Sequence, residues 1–186
     1  MAGCADRNQM PVLPEAQAIG TPHTVFIATN REQADDGTFG PGRSETLNLL
    51  EATVSIPPNH VPGDLSYRHR NPDPERDFTI AEITPVRGVR DLADRLAREQ
   101  RQNSWPEREV TIFVHGYNST LPEVAYRAAQ IAHDVDLPGS LLMYAWPSRG
   151  RAFGYAYDLE SMLFARNGLE QVIRDTKAAG AKRIIL

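Results

Sequence analysis

The stretch EVTIFVHGYNSTLPE, residues 109–123, decides the fold of this chain. Its run of β-branched and aromatic residues over 110–114 has the composition of a buried strand, and it ends abruptly at His115 and Gly116. Directly behind it, Thr120 and Glu123 have the spacing of a capping box, which predicts that a helix begins at about residue 121. A strand that turns sharply into a helix is the repeating unit of an α/β fold.

The same alternation continues on both sides of this stretch. The apolar spacing predicts helices over 89–101, 121–135 and 157–178, the last one stopped by Gly180, and strands over 110–114, 141–145 and 183–186. Continuous apolar strands that alternate with helices pair in parallel and are covered on both faces. The sequence therefore predicts the α/β class, with a mostly parallel sheet and helices on both faces.

The first half of the chain is rich in strands. We predict strands over 24–29, within 49–58 and over 78–86, a short strand over 65–67, and a loop over 31–43 because of its Gly, Pro and Asp content. Residues 1–22 contain several prolines and little apolar periodicity, and they read as an N-terminal tail or linker. The domain itself is predicted to occupy residues 23–186.

Composition excludes several classes of function. A chain of 186 residues suits one domain, and its net charge of −4 argues against binding to nucleic acid. The five histidines form no spacing that is typical of a metal site, and no glycine-rich phosphate loop is present. We therefore expect neither a metal nor a cofactor.

The residues His115, Gly116, Tyr117 and Asn118 form the candidate site. They follow a strand at its carboxyl end, where sites form in open α/β sheets, and Gly116 lets the backbone approach a ligand closely. Amide hydrogens beside a helix start can point at developing negative charge, which describes half of an oxyanion hole. The alternative is an ordinary turn, with His115 as a partly buried, hydrogen-bonded histidine and Asn118 as a turn residue.

Three longer segments carry a family resemblance. VTIFVHGYNSTLPEVAYRAAQIAHD, LLMYAWPSRGRAFGYAYDLESMLFAR and AGAKRIIL resemble a bacterial branch of the α/β-hydrolase superfamily, of uncharacterised function and often found as envelope lipoproteins. The resemblance implies that the backbone amide of Tyr117 donates to the oxyanion, with His115 and Gly116 shaping this oxyanion turn. It further implies that Asn118, Trp146 and Ser148 contact the substrate.

The resemblance also implies a serine nucleophile that this sequence does not contain. In such enzymes the strand that begins with RIIL leads into the nucleophile elbow, and the acid and the catalytic histidine follow. We therefore expect residues 23–186 to be the N-terminal, incomplete part of the hydrolase domain, inactive by itself. An unpaired C-terminal strand edge is expected to promote self-association.

Two functions follow from these expectations. The first is a serine hydrolase that cleaves a small-molecule ester, thioester or amide through an acyl-enzyme intermediate, with this chain carrying the oxyanion turn but not the nucleophile. The alternative is a non-catalytic envelope protein that uses a degenerate hydrolase fold for binding or assembly. The residues after Leu186 would discriminate between them, since a serine elbow there supports the enzyme.

The stretch MAGCADR bears on localisation. Two small residues before Cys4 resemble the end of a bacterial lipoprotein signal, which implies lipidation at Cys4 in a full-length precursor, contact with a membrane only through that anchor, and a place in the cell envelope. The alternative is a chance Ala-Gly-Cys in a terminal segment of a cytoplasmic protein.

Overall fold

One six-stranded sheet organises the chain. The computed structural model describes residues 7–151 and 153–186. Its strands are β1 (Thr21–Gln33), β2 (Phe39–Ile56), β3 (Thr79–Pro85), β4 (Glu109–Val114), β5 (Ser140–Ala145) and β6 (Arg183–Ile185). Its helices are α1 (Ala16–Ile19), α2 (Gly88–Gln102), α3 (Leu121–Asp134) and α4 (Tyr155–Ala178).

The strands lie in the order β3-β2-β1-β5-β4-β6. The pairs β1·β5, β5·β4 and β4·β6 are parallel, whereas β2 is antiparallel to both β1 and β3. Five strands therefore run in one direction and β2 runs against them. This confirms the prediction of a mostly parallel sheet, and it brings the carboxyl ends of β1, β5 and β4 to the same edge.

Helices cover both faces of the sheet, as predicted. On one face, α3 packs its alanine-rich side on a core that includes Val25 and Ile27 of β1. On the other face, α2 and α4 pack on a core that includes Phe26 and Ala28 of the same strand. Successive residues of a strand point to opposite faces, so the unbroken apolar run in β1 is what a strand covered on both faces requires.

The hairpin between β1 and β2 differs from the prediction. Residues 31–43 were expected to form a loop, but β1 continues to Gln33, β2 begins at Phe39, and only 34–38 lie outside the strands. The register shifts on either side of Arg31, which marks a β-bulge that the Gly and Pro content of the stretch disguised. The predicted short strand at 65–67 is also wrong, because these residues adopt no regular structure.

The helix boundaries follow the capping signals. The Glu123 carboxylate accepts a hydrogen bond from the Thr120 amide at 3.0 Å, as the capping box predicts. At the other end of the unit, α4 stops at Ala178 and Gly180 adopts a φ of +91°, which suits the predicted glycine stop. The predicted limits of α2, α3 and α4 lie within two residues of the observed ones.

The segment before β1 packs on the sheet over its described part. Val12 forms an isolated bridge with Ile80, and Ala16 of the short helix α1 is fully buried. The Ser55 hydroxyl donates to the carbonyl oxygen of Ala16 at 2.7 Å. The boundary between tail and domain at residue 22 stays a prediction. No helix in the described part of the chain has the length and apolar content to cross a bilayer.

Candidate functional site

The His115–Asn118 turn lies where β4 ends, at the edge that the carboxyl ends of the parallel strands share. Asn118 has a φ of +59°, which lets the chain reverse before α3 begins at Leu121. A Cβ placed on Gly116 would meet no atom within 4 Å, so the space in front of this glycine is open. A ligand can therefore approach the backbone here at close range.

His115 is held between two carbonyl groups and an indole. Its ring stacks on Trp146, with centroids 4.7 Å apart and an angle of 6° between the planes. Nδ1 lies 2.7 Å from the Gly116 carbonyl oxygen and Nε2 lies 3.0 Å from that of Trp146. The Trp146 Nε1–H donates back to the carbonyl oxygen of His115 at 2.8 Å. These contacts lock the ends of β4 and β5 together.

The His115 ring is neutral at physiological pH. Burial, together with the nearby charge of Arg31, lowers its pKa to about 4, and the two carbonyl groups and Asp158 only partly oppose this shift. A neutral imidazole carries one N–H, so it donates to only one of the two carbonyl oxygens. His115 therefore shapes the turn without placing a positive charge in it.

Asp158, near the start of α4, supports the turn from behind. This buried carboxylate accepts hydrogen bonds from the Ser148 hydroxyl at 2.6 Å and the Arg149 amide at 2.6 Å. It also accepts from the amide of Asn118 at 3.2 Å, so that amide already has a partner. Ser148 is fully buried in this network, whereas the resemblance implied that it contacts the substrate.

Arg31 is a site residue that the sequence analysis missed. Although fully buried, it donates to the carbonyl oxygens of Ser148 at 3.0 Å and Ser119 at 2.7 Å. Burial lowers its pKa to about 10, so it stays cationic at neutral pH, and the charge of Asp158 opposes that shift. Its position in the sequence was the available signal. Arg31 comes three residues after Ala28, the end of the apolar run of β1, and the carboxyl end of β1 lies at the same edge of the sheet as His115.

A cavity of about 350 Å³ opens between the turn and α4. We call it the α4 cavity. The turn contributes His115, Gly116 and Tyr117 to its wall, together with the predicted Trp146. The rest of the wall is mostly apolar and comes largely from α4, including Tyr155, Leu159, Met162, Ala165 and Leu169.

A second cavity of about 310 Å³ lies on the opposite side of the turn, next to α3. His115, Gly116 and Asn118 contribute to its wall as well. Its other side chains are more polar, and they include the pair formed by Arg7 and Glu123, with Nε–Oε1 and Nη2–Oε2 distances of 2.8 and 2.7 Å. The turn thus separates an apolar cavity from a polar one.

Tyr117 stands at the mouth of the α4 cavity. Its hydroxyl donates to the Arg151 carbonyl oxygen at 3.3 Å, and its ring meets that of Tyr155 edge to face at 5.7 Å. Both rings remain substantially exposed. The last predicted site residue, Cys4, lies outside the described residues.

The comparison with known families covers the half of the chain that contains this site. Residues 92–186, from within α2 to the end of β6, match the family described as "Alpha/beta hydrolase of unknown function (DUF900)". Neither a curated protein nor a solved structure matches the chain. The observed sheet, with helices on both faces and a turn after β4, is consistent with this match. The chain belongs to this family of α/β hydrolases.

Proposed function

We propose that the His115–Asn118 turn is the oxyanion turn of a serine hydrolase. Its substrate is a small molecule with an ester, thioester or amide carbonyl. The backbone N–H of Tyr117 donates to the carbonyl oxygen as that oxygen gains negative charge. The serine, acid and catalytic histidine are those that the resemblance implies downstream of β6, and no residue of this chain is assigned to these roles.

The observation that carries this proposal is the open space in front of Gly116. An oxyanion hole needs backbone donors that a carbonyl oxygen can reach at about 2.7–3.1 Å, and a side chain at Gly116 would occupy that approach. Both cavities border this residue, so the two halves of an ester have room on either side of the turn.

Rigidity and charge support the same role. Asp158 binds the Asn118 amide and the His115–Trp146 pair fixes the residue before Gly116, so the turn is held in place before substrate arrives. Arg31 donates to the Ser119 carbonyl oxygen just behind the turn, and α3 begins at Leu121. A buried cation and a helix N-terminus both favour negative charge nearby.

The chemistry has two steps. The serine oxygen attacks the carbonyl carbon, the oxyanion forms at the turn, and the tetrahedral intermediate collapses to an acyl-enzyme as the alcohol, thiol or amine leaves with a proton. Water then attacks the acyl carbonyl through a second oxyanion at the same position and releases the carboxylic acid. The described chain contributes the donor that stabilises both tetrahedral intermediates.

The test uses the full-length protein and a fluorophosphonate probe, followed by turnover of short-chain nitrophenyl esters. We expect covalent labelling of the wild type. Gly116→Val should lower kcat by about 100-fold, the usual effect of disabling an oxyanion hole. Gly40→Val is the matched control, because a Cβ at Gly40 also meets no atom within 4 Å. A full-length protein that is neither labelled nor active refutes the proposal.

A non-catalytic binding or assembly role is the second candidate. The serine hydroxyl groups near the site favour it. Each of them already has a hydrogen-bond partner within the fold, so none is poised as a nucleophile. Ser119 donates to the Tyr117 carbonyl oxygen, Ser148 donates to Asp158, and Ser161 accepts from Arg43. Placement in the envelope through Cys4 and self-association through the β6 edge belong to this candidate, and intact-mass and sedimentation measurements of the full-length protein test them.

A further inference from the structure

The wall of the α4 cavity contains several large apolar side chains that are exposed to solvent. Tyr155, Leu159 and Met162 lie on one side of α4 and line the cavity while remaining 65%, 48% and 50% exposed. Large apolar side chains gathered around a concave surface are typical of a site that binds an apolar group. A cavity of about 350 Å³ is large enough for a small molecule.

The charges along this wall are unbalanced. The Asp158 carboxylate already accepts three hydrogen bonds from the protein, and His115 is held neutral by burial. Arg166 also lines the cavity and is exposed, and within residues 7–151 and 153–186 no carboxylate forms an ion pair with it. The nearest acid along the helix, Glu170, pairs with Arg174 instead. An uncompensated cation therefore borders an apolar cavity.

We propose that the α4 cavity binds an anionic amphiphile, with its alkyl chain against Leu159 and Met162 and its anionic group on Arg166. Arg166 lies about two turns, or about 12 Å, along α4 from Asp158, which is level with the oxyanion turn. An apolar chain therefore separates the anion from a carbonyl at Tyr117. The binding of the amphiphile is independent of the proposed function. Only the further step, that the amphiphile is also the substrate, rests on that function.

Sodium octanoate is the probe, with 1-octanol, octylammonium and acetate for comparison. Binding is measured by calorimetry and by the fluorescence of Trp146, which lines the cavity, in a Trp105→Phe background that leaves it as the sole tryptophan of residues 1–186. We expect octanoate to bind about fivefold more tightly than octanol, the effect of one exposed ion pair, and octylammonium to bind more weakly than octanol. Acetate should not bind detectably.

Three variants assign the binding to this cavity. Leu159→Asp should weaken octanoate binding by roughly tenfold or more, because it places a charge against the alkyl chain. Arg166→Gln should lower the affinity for octanoate to that for octanol and leave octanol binding unchanged. Leu163→Asp is the matched control, since Leu163 is 66% exposed on the same helix but is absent from the cavity wall. Urea unfolding first establishes that each variant is folded.

A binding experiment with lipid vesicles distinguishes two sources of the amphiphile, a lipid surface and a free molecule in solution. Binding to phosphatidylglycerol vesicles, lost in Leu159→Asp, assigns the ligand to a lipid surface, whereas octanoate binding alone assigns it to a free amphiphile. Equal affinities for octanoate and octanol, or equal losses in Leu159→Asp and Leu163→Asp, overturn the inference. Octanoate binding by a full-length protein that fluorophosphonate does not label would retain the cavity assignment and remove only the hydrolase.

Discussion

Replacing His115 with glutamine should change how the stability of the fold depends on pH below 7. The pKa of His115 falls from its ordinary 6.5 to about 4 on folding, chiefly because the ring is buried. As the pH falls below 6.5, the unfolded chain therefore takes up a proton at this ring while the folded chain does not. That uptake stabilises the unfolded state, so stability is lost as the pH falls through the window from 6.5 to 4.

The size of the effect follows from the two pKa values. With a pKa of 6.5 in the unfolded chain and about 4 in the folded one, protonation of His115 lowers the free energy of unfolding by about 2 kcal/mol between pH 7 and pH 5. Glutamine does not titrate, so the variant lacks this term. The wild type should therefore lose about 2 kcal/mol relative to His115→Gln between pH 7 and pH 5, whatever constant cost the substitution carries.

The assay is urea unfolding of both proteins at several pH values between 7 and 5, with the free energies of unfolding subtracted at each pH. Tyr117→Phe is the control, because it removes a hydroxyl group from the same turn and leaves the His115–Trp146 stack intact. Its curve should run parallel to that of the wild type. If the difference for His115→Gln is also constant with pH, the ring is not desolvated and our account of the turn is refuted.

Four further substitutions test buried positions of the fold. Burial raises the pKa of Glu99 to about 7, so the wild type loses stability as the pH rises from 4.5 to 7 and this carboxyl ionises. Glu99→Gln does not titrate, so in urea unfolding its free energy of unfolding should gain up to about 3 kcal/mol on that of the wild type between pH 4.5 and pH 8. Gly168→Ala should cost about 1–3 kcal/mol and lower Tm, since its Cβ would overlap the Asn30 Oδ1 atom and the Tyr144 hydroxyl; an unchanged Tm contradicts this packing. Asp158→Asn should cost about 3 kcal/mol and Ser148→Ala only about 1 kcal/mol, because the first removes the negative charge that most strongly opposes the lowering of the pKa of the buried Arg31. Equal costs in chemical unfolding would contradict this charge pairing.

The second half of the chain was predictable because its signals are local. The apolar run of β4, the capping box at Thr120 and the glycine at 180 each act within one or two turns of backbone, so they specify the element whatever packs on it. The location of the turn was predictable for the same reason. It follows from the order of one strand and one helix and from the rule that sites form at the carboxyl ends of strands.

The hairpin and the support of the turn were not predictable in this way. Residues 31–43 look like a loop by composition, yet β1 and β2 continue into this stretch because pairing across the hairpin overrides the local preference. Arg31 is buried because Ser119 and Ser148 offer carbonyl oxygens from positions 88 and 117 residues away in the chain. A charged side chain in a Gly- and Pro-rich stretch reads as solvated until those partners are known.

The amino-acid sequence by itself determined the α/β class, the limits of the main helices and the position of the His115–Asn118 turn. Tertiary structure alone decided what surrounds that turn: the neutral, stacked His115, the Asp158 network behind it, and the cavity that α4 leaves in front. The physical reason is range. Strand and helix patterns are set by neighbours within a few residues, whereas burial, charge pairing and cavity shape depend on elements that only folding brings together.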